Sequence, residues 1–197
     1  MRVLVVSEGE HEQSGALENL LKRLGGGSAT FEFDRACNTK IHAFHGKGDG
    51  YFKRALRWLL EAEKRGVEAL VFLIDEDGRK ERVTQIQKAQ NSTLSELPRA
   101  LGVAIRMFDA WMLADEKALT AVLGYQVNKQ PDPETIRDPK AVCRDLLDKS
   151  PAALRQRQMY AQVTDRANLD ILAERCPNGF APFASNVRTV FQTRPRE

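Results

Sequence analysis

The stretch LVFLIDEDGRKERV, residues 70–83, decides how the rest of the chain is organised. It begins with an unbroken apolar run from Leu70 to Ile74, and three acids then precede Gly78. A short apolar run without alternation is typical of a strand that is buried on both faces of a parallel sheet. The acids after it could form a simple polar turn, or they could form a metal site.

Strands and helices alternate through the first part of the chain. Four short apolar segments predict strands, at residues 2–6, 29–36, 67–74 and 103–108. Apolar residues at intervals of three and four predict helices between and after them, at residues 12–24, 51–64, 79–97 and 110–123. This alternation predicts crossover connections, and therefore an α/β fold with a mainly parallel sheet flanked by helices.

The pattern of apolar residues changes after Gly124. A proline-rich loop comes first, and short segments with helical spacing of apolar residues follow it. These predict helices at residues 139–149, 151–164, 169–175 and 182–191. We therefore predict a catalytic α/β domain over residues 1–124, and an α-helical C-terminal extension over residues 125–197 that packs on it.

Composition narrows the class of protein. The 197 residues are 42% hydrophobic, which is enough for a packed core. With 30 basic and 27 acidic residues the net charge is +3, which permits a nucleic-acid partner without requiring one. The three cysteines lie far apart, which argues against a disulfide framework or a structural zinc site. No apolar run reaches the roughly 18 residues of a membrane span, so we expect a cytoplasmic protein.

Acidic side chains follow three of the predicted strands. Glu8 and Glu12 come after the first strand, Asp75 and Asp77 after the third, and Asp109 after the fourth. The carboxyl ends of parallel strands meet at one edge of a sheet, where ligands bind. Like charges brought together there must be solvated or neutralised by a cation. Carboxylate oxygens are the ligands that Mg²⁺ prefers.

Each acid also has an ordinary structural explanation. Asp77 and Gly78 could form a turn that leads into the next helix. Asp109 could cap the helix that follows it, and Glu12 could be a first-turn acid that the helix dipole favours. Glu76 is expected to point away from its neighbouring aspartates, because alternate residues of an extended segment face opposite sides.

Two of these strand ends resemble a known domain. A strand ending in Glu8-Gly9, followed later by one ending in Asp75-Glu76-Asp77-Gly78, resembles the Toprim domain. That domain occurs in topoisomerases, primases, RNase M5-type maturases and nucleases of the overcoming-lysogenization-defect type.

More of the chain is similar to the Toprim-like domain-of-unknown-function family 4276, which often occurs in bacterial defence gene neighbourhoods. The similar stretches are EGEHE at 8–12, FDAWMLAD at 108–115 and CPNGFAPF at 176–183. The sequence departs from the family pattern at two positions. The family usually has Glu where Asp109 stands, which gives a longer reach to a metal, and a small hydroxyl residue where His11 stands.

The resemblance implies a nuclease that cleaves DNA or RNA with Mg²⁺ or Mn²⁺, as an effector of anti-phage defence. It implies Asp75 and Asp77 as metal ligands, and Glu8 as the proton-transfer group or as a ligand of a second metal. Glu8, Asp75 and Asp77 would be the catalytic residues, with Glu12 and Asp109 as additional metal ligands. An ATPase partner protein could supply energy or sensing, because the chain has no ATPase motif of its own.

Basic residues near the acids are candidates for binding the substrate. Lys47 lies in a glycine-rich loop, Arg79 and Lys80 directly follow the acidic turn together with Arg82, and Arg106 lies on the predicted fourth strand. Their charges could contact a phosphate backbone, as could the stretch RQRQMY at 155–160. The alternative for each is a solvated surface position.

Two other functions remain open from the sequence. A haloacid-dehalogenase-like phosphatase also ends a strand in Asp-x-Asp-Gly, and it would use Asp75 as a covalent nucleophile. That motif normally follows the first strand, whereas here it follows the third. The chain could also be a non-catalytic binding or regulatory subunit of an ATPase-containing defence complex.

Overall fold

The chain forms an α/β fold around one four-stranded parallel sheet, in a computed structural model that describes residues 1–9, 12–38, 41 and 50–192. The strands are β1 (Arg2–Ser7), β2 (Thr30–Arg35), β3 (Ala69–Asp75) and β4 (Arg99–Ala104). Their order is β2-β1-β3-β4, and every neighbouring pair is parallel. The predicted fold class, a parallel sheet flanked by helices with a helical C-terminal part, is confirmed.

Helices connect and follow the strands. The first is α1 (Leu17–Leu21), with a wide π-type turn on each side of it, at Glu12–Ala16 and Lys22–Gly26. The others are α2 (Gly50–Lys64), α3 (Glu81–Gln90), α4 (Asp109–Met112), α5 (Glu116–Leu123), α6 (Pro139–Asp148), α7 (Gln156–Arg166), α8 (Leu169–Arg175) and α9 (Phe180–Gln192), with a 3₁₀ turn at Pro133–Thr135. None of the helices in the described ranges is long and apolar enough to cross a membrane.

The sheet is covered on both faces, which explains why β3 is apolar throughout. Leu70 and Phe72 face the side of the sheet on which α2 and α3 pack. Val71 and Leu73 face the opposite side, where α1, α5, α7 and α9 pack. Because both faces are buried, consecutive residues of the strand are all apolar, as expected for the centre of a parallel sheet.

Residues after position 124 share the core of the sheet. On α9, Phe183 packs on β4 at Gly102, where an added Cβ would lie 2.5 Å from the Phe183 ring. On α7, the carbonyl oxygen of Ala161 accepts a hydrogen bond of 2.8 Å from the side chain of Asn19 on α1. The core therefore continues across Gly124, and the division into two domains at that residue stays a prediction.

The fourth strand begins four residues earlier than expected, so the position predicted for Arg106 was wrong. The expected strand was 103–108, whereas β4 runs from Arg99 to Ala104. The first four residues of β4 include Arg99, Ala100 and Gly102, which carry little β propensity, and the pairing of the strand with β3 overrides that weak local preference. Arg106 lies beyond the strand, in a turn with a φ of +64°.

Two predicted helices are shorter than their apolar periodicity suggested. The helix expected at 79–97 is α3, which ends at Gln90. The helix expected at 110–123 is broken into α4 and α5. The break occurs because the Asp115 side chain accepts the backbone N–H groups of Lys117 and Ala118, and so starts a new helix at Glu116.

Side-chain amides cap the free edge of the sheet at β4. The carboxamide of Gln90 accepts the N–H of Leu101 at 2.8 Å and donates to the carbonyl oxygen of Arg99 at 3.1 Å. The amide of Asn186 donates to the carbonyl oxygen of Leu101 at 3.2 Å. The outward peptide groups of Arg99 and Leu101 are thus satisfied by α3 and α9, not by another strand.

We expect Gly102→Ala to destabilise the protein, because the new methyl group would push Phe183 away from β4. Overpacking of this kind costs about 1–3 kcal/mol, which corresponds to a loss of about 5 °C in melting temperature. Gly50→Ala is the matched control, because a Cβ at Gly50 meets no atom within 4 Å. Equal melting temperatures for the two variants by circular dichroism would contradict this account of the β4–α9 packing.

Candidate functional site

The two central strands bring Glu8 and Asp75 together at the carboxyl edge of the sheet. β1 and β3 are adjacent and in register, with Ser7 paired to Leu73. The backbone N–H of Asp75 donates to Oε2 of Glu8 at 3.1 Å. On its other side, Oδ1 of Asp75 accepts the backbone N–H of Phe108, which follows β4, at 2.8 Å.

Glu12 is the buried member of this group. Its side chain is 5% exposed, and its Oε2 accepts the backbone N–H of Gly9 at 3.2 Å. A Cβ at position 9 would lie 2.5 Å from Oε1 of Glu12, so only glycine leaves room for the carboxylate to fold back on this loop. The Glu-Gly pair after β1 is therefore explained by the placement of Glu12.

Burial and crowding raise the pKa of two of the acids. Burial raises the pKa of Glu12 from 4.5 to about 7, and the charges of Glu8 and Asp109 add to the effect against the Gly9 hydrogen bond. Burial also raises the pKa of Asp75 well above its usual value, and the next largest cause is the charge of Glu12. The carboxylates are thus close enough to repel one another, so a proton or another cation stabilises the group.

Arg82 supplies a positive charge inside this acidic edge. Its Nη1 donates to the carbonyl oxygen of Asp75 and, at 2.8 Å, to Oδ2 of Asp77. The same nitrogen lies 3.7 Å from Oε2 of Glu8. The guanidinium is buried and lies 4.4 Å from the centre of the Tyr51 ring. Arg82 therefore connects both acidic strand ends to α2.

Residues of α2 hold the second oxygen of Glu8. The Tyr51 hydroxyl donates to Oε1 of Glu8 at 2.8 Å, and Nη1 of Arg54 lies 3.8 Å from the same oxygen. Burial and the Glu8 charge together raise the pKa of Tyr51 to about 12, which keeps the hydroxyl protonated as a donor. Both oxygens of Glu8 are therefore held by donors of this chain.

Asp77 is exposed and lies in the turn after β3. Its φ is +51°, and the following Gly78 has a φ of +72°. The backbone N–H of Asp77 donates to the carbonyl oxygen of Arg106 at 3.0 Å, which ties this turn to the one after β4. The Asp77 carboxylate is directed to Arg82, and its charge is among the causes that raise the pKa of Asp75.

Asp109 is buried and bound to the C-terminal part of the chain. It is the first residue of α4, so it does not cap that helix. Its Oδ1 accepts a hydrogen bond from the Tyr160 hydroxyl and a longer one, 3.4 Å, from the Gln156 amide, both on α7. Its charge still contributes to the raised pKa of Glu12. Among the described residues, the direct partners of this carboxylate are therefore α7 side chains.

The carboxylates suit a hard cation by chemistry, but they are not arranged as a finished metal site. In the described ranges, no three Asp, Glu, His or Cys side chains form a group that could hold a metal ion as they stand. Glu8, Glu12 and Asp75 offer the oxygen ligands that Mg²⁺ prefers. Each of the three already accepts a hydrogen bond from the chain, so a metal would have to compete with those donors.

The predicted substrate-binding residues lie in different settings. Arg79 and Lys80 are exposed beside the acidic turn. The backbone N–H of Arg106 donates to Oε2 of Glu76 at 3.2 Å, so the buried Glu76 carboxylate supports a turn, not the acid group. Lys47 lies outside the described residues, as does His11.

Several residues of the site carried little or no signal in the sequence. Arg82 was recognisable only as one of several basic residues after the acidic turn. Tyr51, Arg54, Gln156 and Tyr160 come from helices distant in sequence, and only tertiary packing brings them to the acids. A polar face on α2 and a buried tyrosine on α7 are too common to have identified them.

Comparison with known proteins places the chain in a family. A family model described as "Domain of unknown function (DUF4276)" matches residues 8–188. The chain belongs to this family. No curated protein and no solved structure gives a significant match. The DUF4276 match includes all five acids and the CPNGFAPF stretch, so the predicted family is confirmed, whereas the relation to Toprim domains stays a prediction.

The raised pKa of Glu12 predicts how stability depends on pH in the absence of divalent metals. The folded protein holds this proton up to about pH 7, whereas the unfolded chain releases it near pH 4.5. The contribution of Glu12 is therefore fully present below pH 4.5 and is lost as the pH rises towards 7 and above.

We expect Glu12→Gln, which keeps the acceptor for Gly9, to lose less stability than the wild type between pH 4.5 and 8. Thermal unfolding in EDTA across this range measures the difference. Titrating groups that do not interact with Glu12 cancel in the comparison, and removal of the Glu12 charge lowers the pKa of Asp75, which changes the curve in the same direction. Parallel curves for the two proteins would show that Glu12 does not titrate as described.

Proposed function

We propose that this DUF4276 protein is a Mg²⁺- or Mn²⁺-dependent nuclease that cleaves phosphodiester bonds in DNA or RNA. The observation that supports this best is the gathering of Glu8, Glu12 and Asp75 at the carboxyl edge of the two central strands. Such an edge is where open parallel sheets bind ligands. A phosphodiester is anionic, so these acids would repel it unless a bound cation reverses the local charge.

Glu12 and Asp75 are the residues that would hold the metal, with Glu8 beside them as the proton acceptor or, if a second metal binds, as its ligand. When bound, Mg²⁺ would lower the pKa of a water and neutralise charge on the phosphate. Asp77 could join them by leaving Arg82. Asp109 would first have to leave Tyr160, and its side chain is one carbon shorter than the glutamate usual in the family. We therefore assign Asp109 mainly to holding α7 against the site.

The chain's own groups orient the reaction. Tyr51 and Arg54 hold one oxygen of Glu8, and the backbone N–H of Asp75 holds the other, so the Glu8 carboxylate has a fixed position. In the proposed hydrolysis, water oxygen forms a new bond to phosphorus and the bond to the leaving oxygen breaks. Glu8 takes the proton that the water loses, and solvent protonates the leaving group.

Basic residues on the rim would bind the strand to be cut. Arg79 and Lys80 are exposed at the start of α3, on the same side as the acidic turn. Cations in this position bind phosphates without reading the base sequence. Arg106 and Lys47 remain candidates for the same role. We place the protein in the cytoplasm as an effector of anti-phage defence, with an ATPase as a candidate partner.

We expect Mg²⁺ or Mn²⁺ to raise the melting temperature of EDTA-treated protein at pH 7.5 by about 5 °C at saturating concentration. Glu12→Gln and Asp75→Asn should each abolish most of the rise. Glu81→Gln is the control, because Glu81 is an exposed carboxylate next to Arg82 in sequence. If neither ion raises the melting temperature, the reading of the chain as a non-catalytic binding subunit is favoured.

We also expect cleavage of at least one substrate in a panel of single- and double-stranded DNA and RNA with Mn²⁺. Loss of one metal ligand or of the fixed proton acceptor should lower the rate by about 100-fold or more. Asp75→Asn and Glu8→Gln test this, and Asp77→Ala tests whether Asp77 contributes. Glu81→Gln should cleave like the wild type. Equal rates for wild type and Asp75→Asn would identify a contaminating nuclease.

A further inference from the structure

A cavity lies at the free edge of β4. Its volume is about 420 Å³, within the roughly 300–1,000 Å³ of ligand-binding pockets. Residues of α3 form one wall, and the turn at 177–179 with the start of α9 forms the other. This second wall belongs to the CPNGFAPF stretch, which contributes nothing to the acid group.

The lining of this cavity is neutral and combines amides with apolar surfaces. Val83, Ile86 and Phe183 supply apolar surface. Five carboxamide side chains line the cavity as well: Gln87, Gln90, Asn91, Asn178 and Asn186. No described lining residue carries a charge, so the cavity suits a neutral ligand that has flat apolar faces and both donors and acceptors at its edge.

Some of these amides are already occupied, and others remain available. Both the oxygen and the nitrogen of the Gln90 carboxamide are hydrogen-bonded to β4. Nδ2 of Asn186 donates to Leu101, and Nδ2 of Asn178 donates to Glu134. Gln87 and Asn91 are exposed, and no side-chain hydrogen bond joins either of them to another described residue. Their donors and acceptors therefore face the cavity and solvent.

Val103 also lines the cavity, near the end of β4. The Ala104 carbonyl oxygen accepts a hydrogen bond from the residue after β3, so by alternation Val103 faces away from β3, as Leu101 does. Gln90 and Asn186 cap Leu101, but no described side chain caps Val103 in the same way. A Cβ at Gly179 would lie 2.9 Å from the Ile105 backbone nitrogen and 3.2 Å from the Val103 carbonyl oxygen, so the glycine lets the turn pack closely against this end of β4.

An added β-strand is a poor occupant for this edge. Gln90 and Asn186 already satisfy the outward peptide groups of Arg99 and Leu101, which leaves only Val103 for a ladder. A nucleobase fits better, because it has flat apolar faces and an edge of mixed donors and acceptors. Glutamine and asparagine side chains pair with such edges.

The cavity adjoins the acid group through two elements. On α3, Arg82 contacts the acids, and the next residue, Val83, lines the cavity. Across the sheet, Val103 pairs with Ile74, the residue before Asp75. We infer that this cavity binds a nucleobase of the strand whose phosphate is cut at the acid group. The inference rests on the proposed function for the phosphate, and on the neutral amide lining for the base.

Binding of ribonucleosides tests the cavity separately from the metal site. Adenosine, guanosine, cytidine and uridine carry no phosphate, so calorimetric titration in EDTA does not depend on the acids. We expect at least one nucleoside to bind. Gln87→Glu replaces a hydrogen-bond donor with a charge at constant side-chain size, and it should weaken nucleoside binding by about tenfold. Asn128→Asp, an equally small change at an exposed amide outside this cavity, should leave binding unchanged.

Failure of all four nucleosides to bind, or equal binding by Gln87→Glu, would overturn the inference. If a nucleoside binds, a cleavage assay with Mn²⁺ shows whether the cavity holds a base of the substrate or a free ligand. The bound nucleoside should inhibit competitively, and Gln87→Glu should raise KM with little change in kcat. Nucleoside binding without either effect would assign the cavity to a free nucleotide and refute the link to the substrate. Nucleoside binding in a protein that cleaves no substrate of the panel would remove the nuclease proposal and the link to a cut strand, and would leave the cavity as a nucleobase site.

Discussion

The parallel pairing of β1 with β3 is the constraint on which the site depends. Because these strands are central and in register, the residues that follow them emerge side by side. The N–H of Asp75 then meets the Glu8 carboxylate, and the two acidic loops share one small volume. Burial there, together with the neighbouring charges, raises the pKa of both Glu12 and Asp75. The sheet thus concentrates negative charge at a place that its hydrophobic core makes rigid.

The protein offsets this charge with specific neighbours. Arg82 bridges Asp77 and the Asp75 carbonyl oxygen, while Tyr51 and Arg54 hold Glu8 from the adjacent helix. Asp109 has partners of a different kind. It is buried, and the donors from α7 that bind it are neutral. Burying a carboxylate costs free energy unless hydrogen-bond donors compensate it. These contacts therefore explain how the folded protein tolerates acidic side chains at the carboxyl edge of the sheet. They also define what a metal ion would have to displace.

Much of the fold could be predicted from local pattern. The apolar run before Asp75 identified the central strand, and alternation with helices identified the parallel sheet. The bounds of β4 could not be predicted, because they depend on pairing with β3. At the site, the acids could be located from strand ends alone. Their partners could not, since Tyr51 and Tyr160 reach them only through packing of distant helices.

The contacts of the first helix have a consequence for the order in which the chain folds. Asn19 and Arg23 bond to carbonyl oxygens of Ala161 and Thr164, more than 140 positions later. During synthesis, the face of the sheet that carries Val3 and Val5 must therefore stay partly uncovered until α7 has left the ribosome. Contacts of such long sequence separation slow folding, because loop-closure entropy is lost before they form. The nascent chain therefore exposes apolar surface until these late contacts form, and exposed apolar surface is what makes incompletely folded chains prone to aggregate.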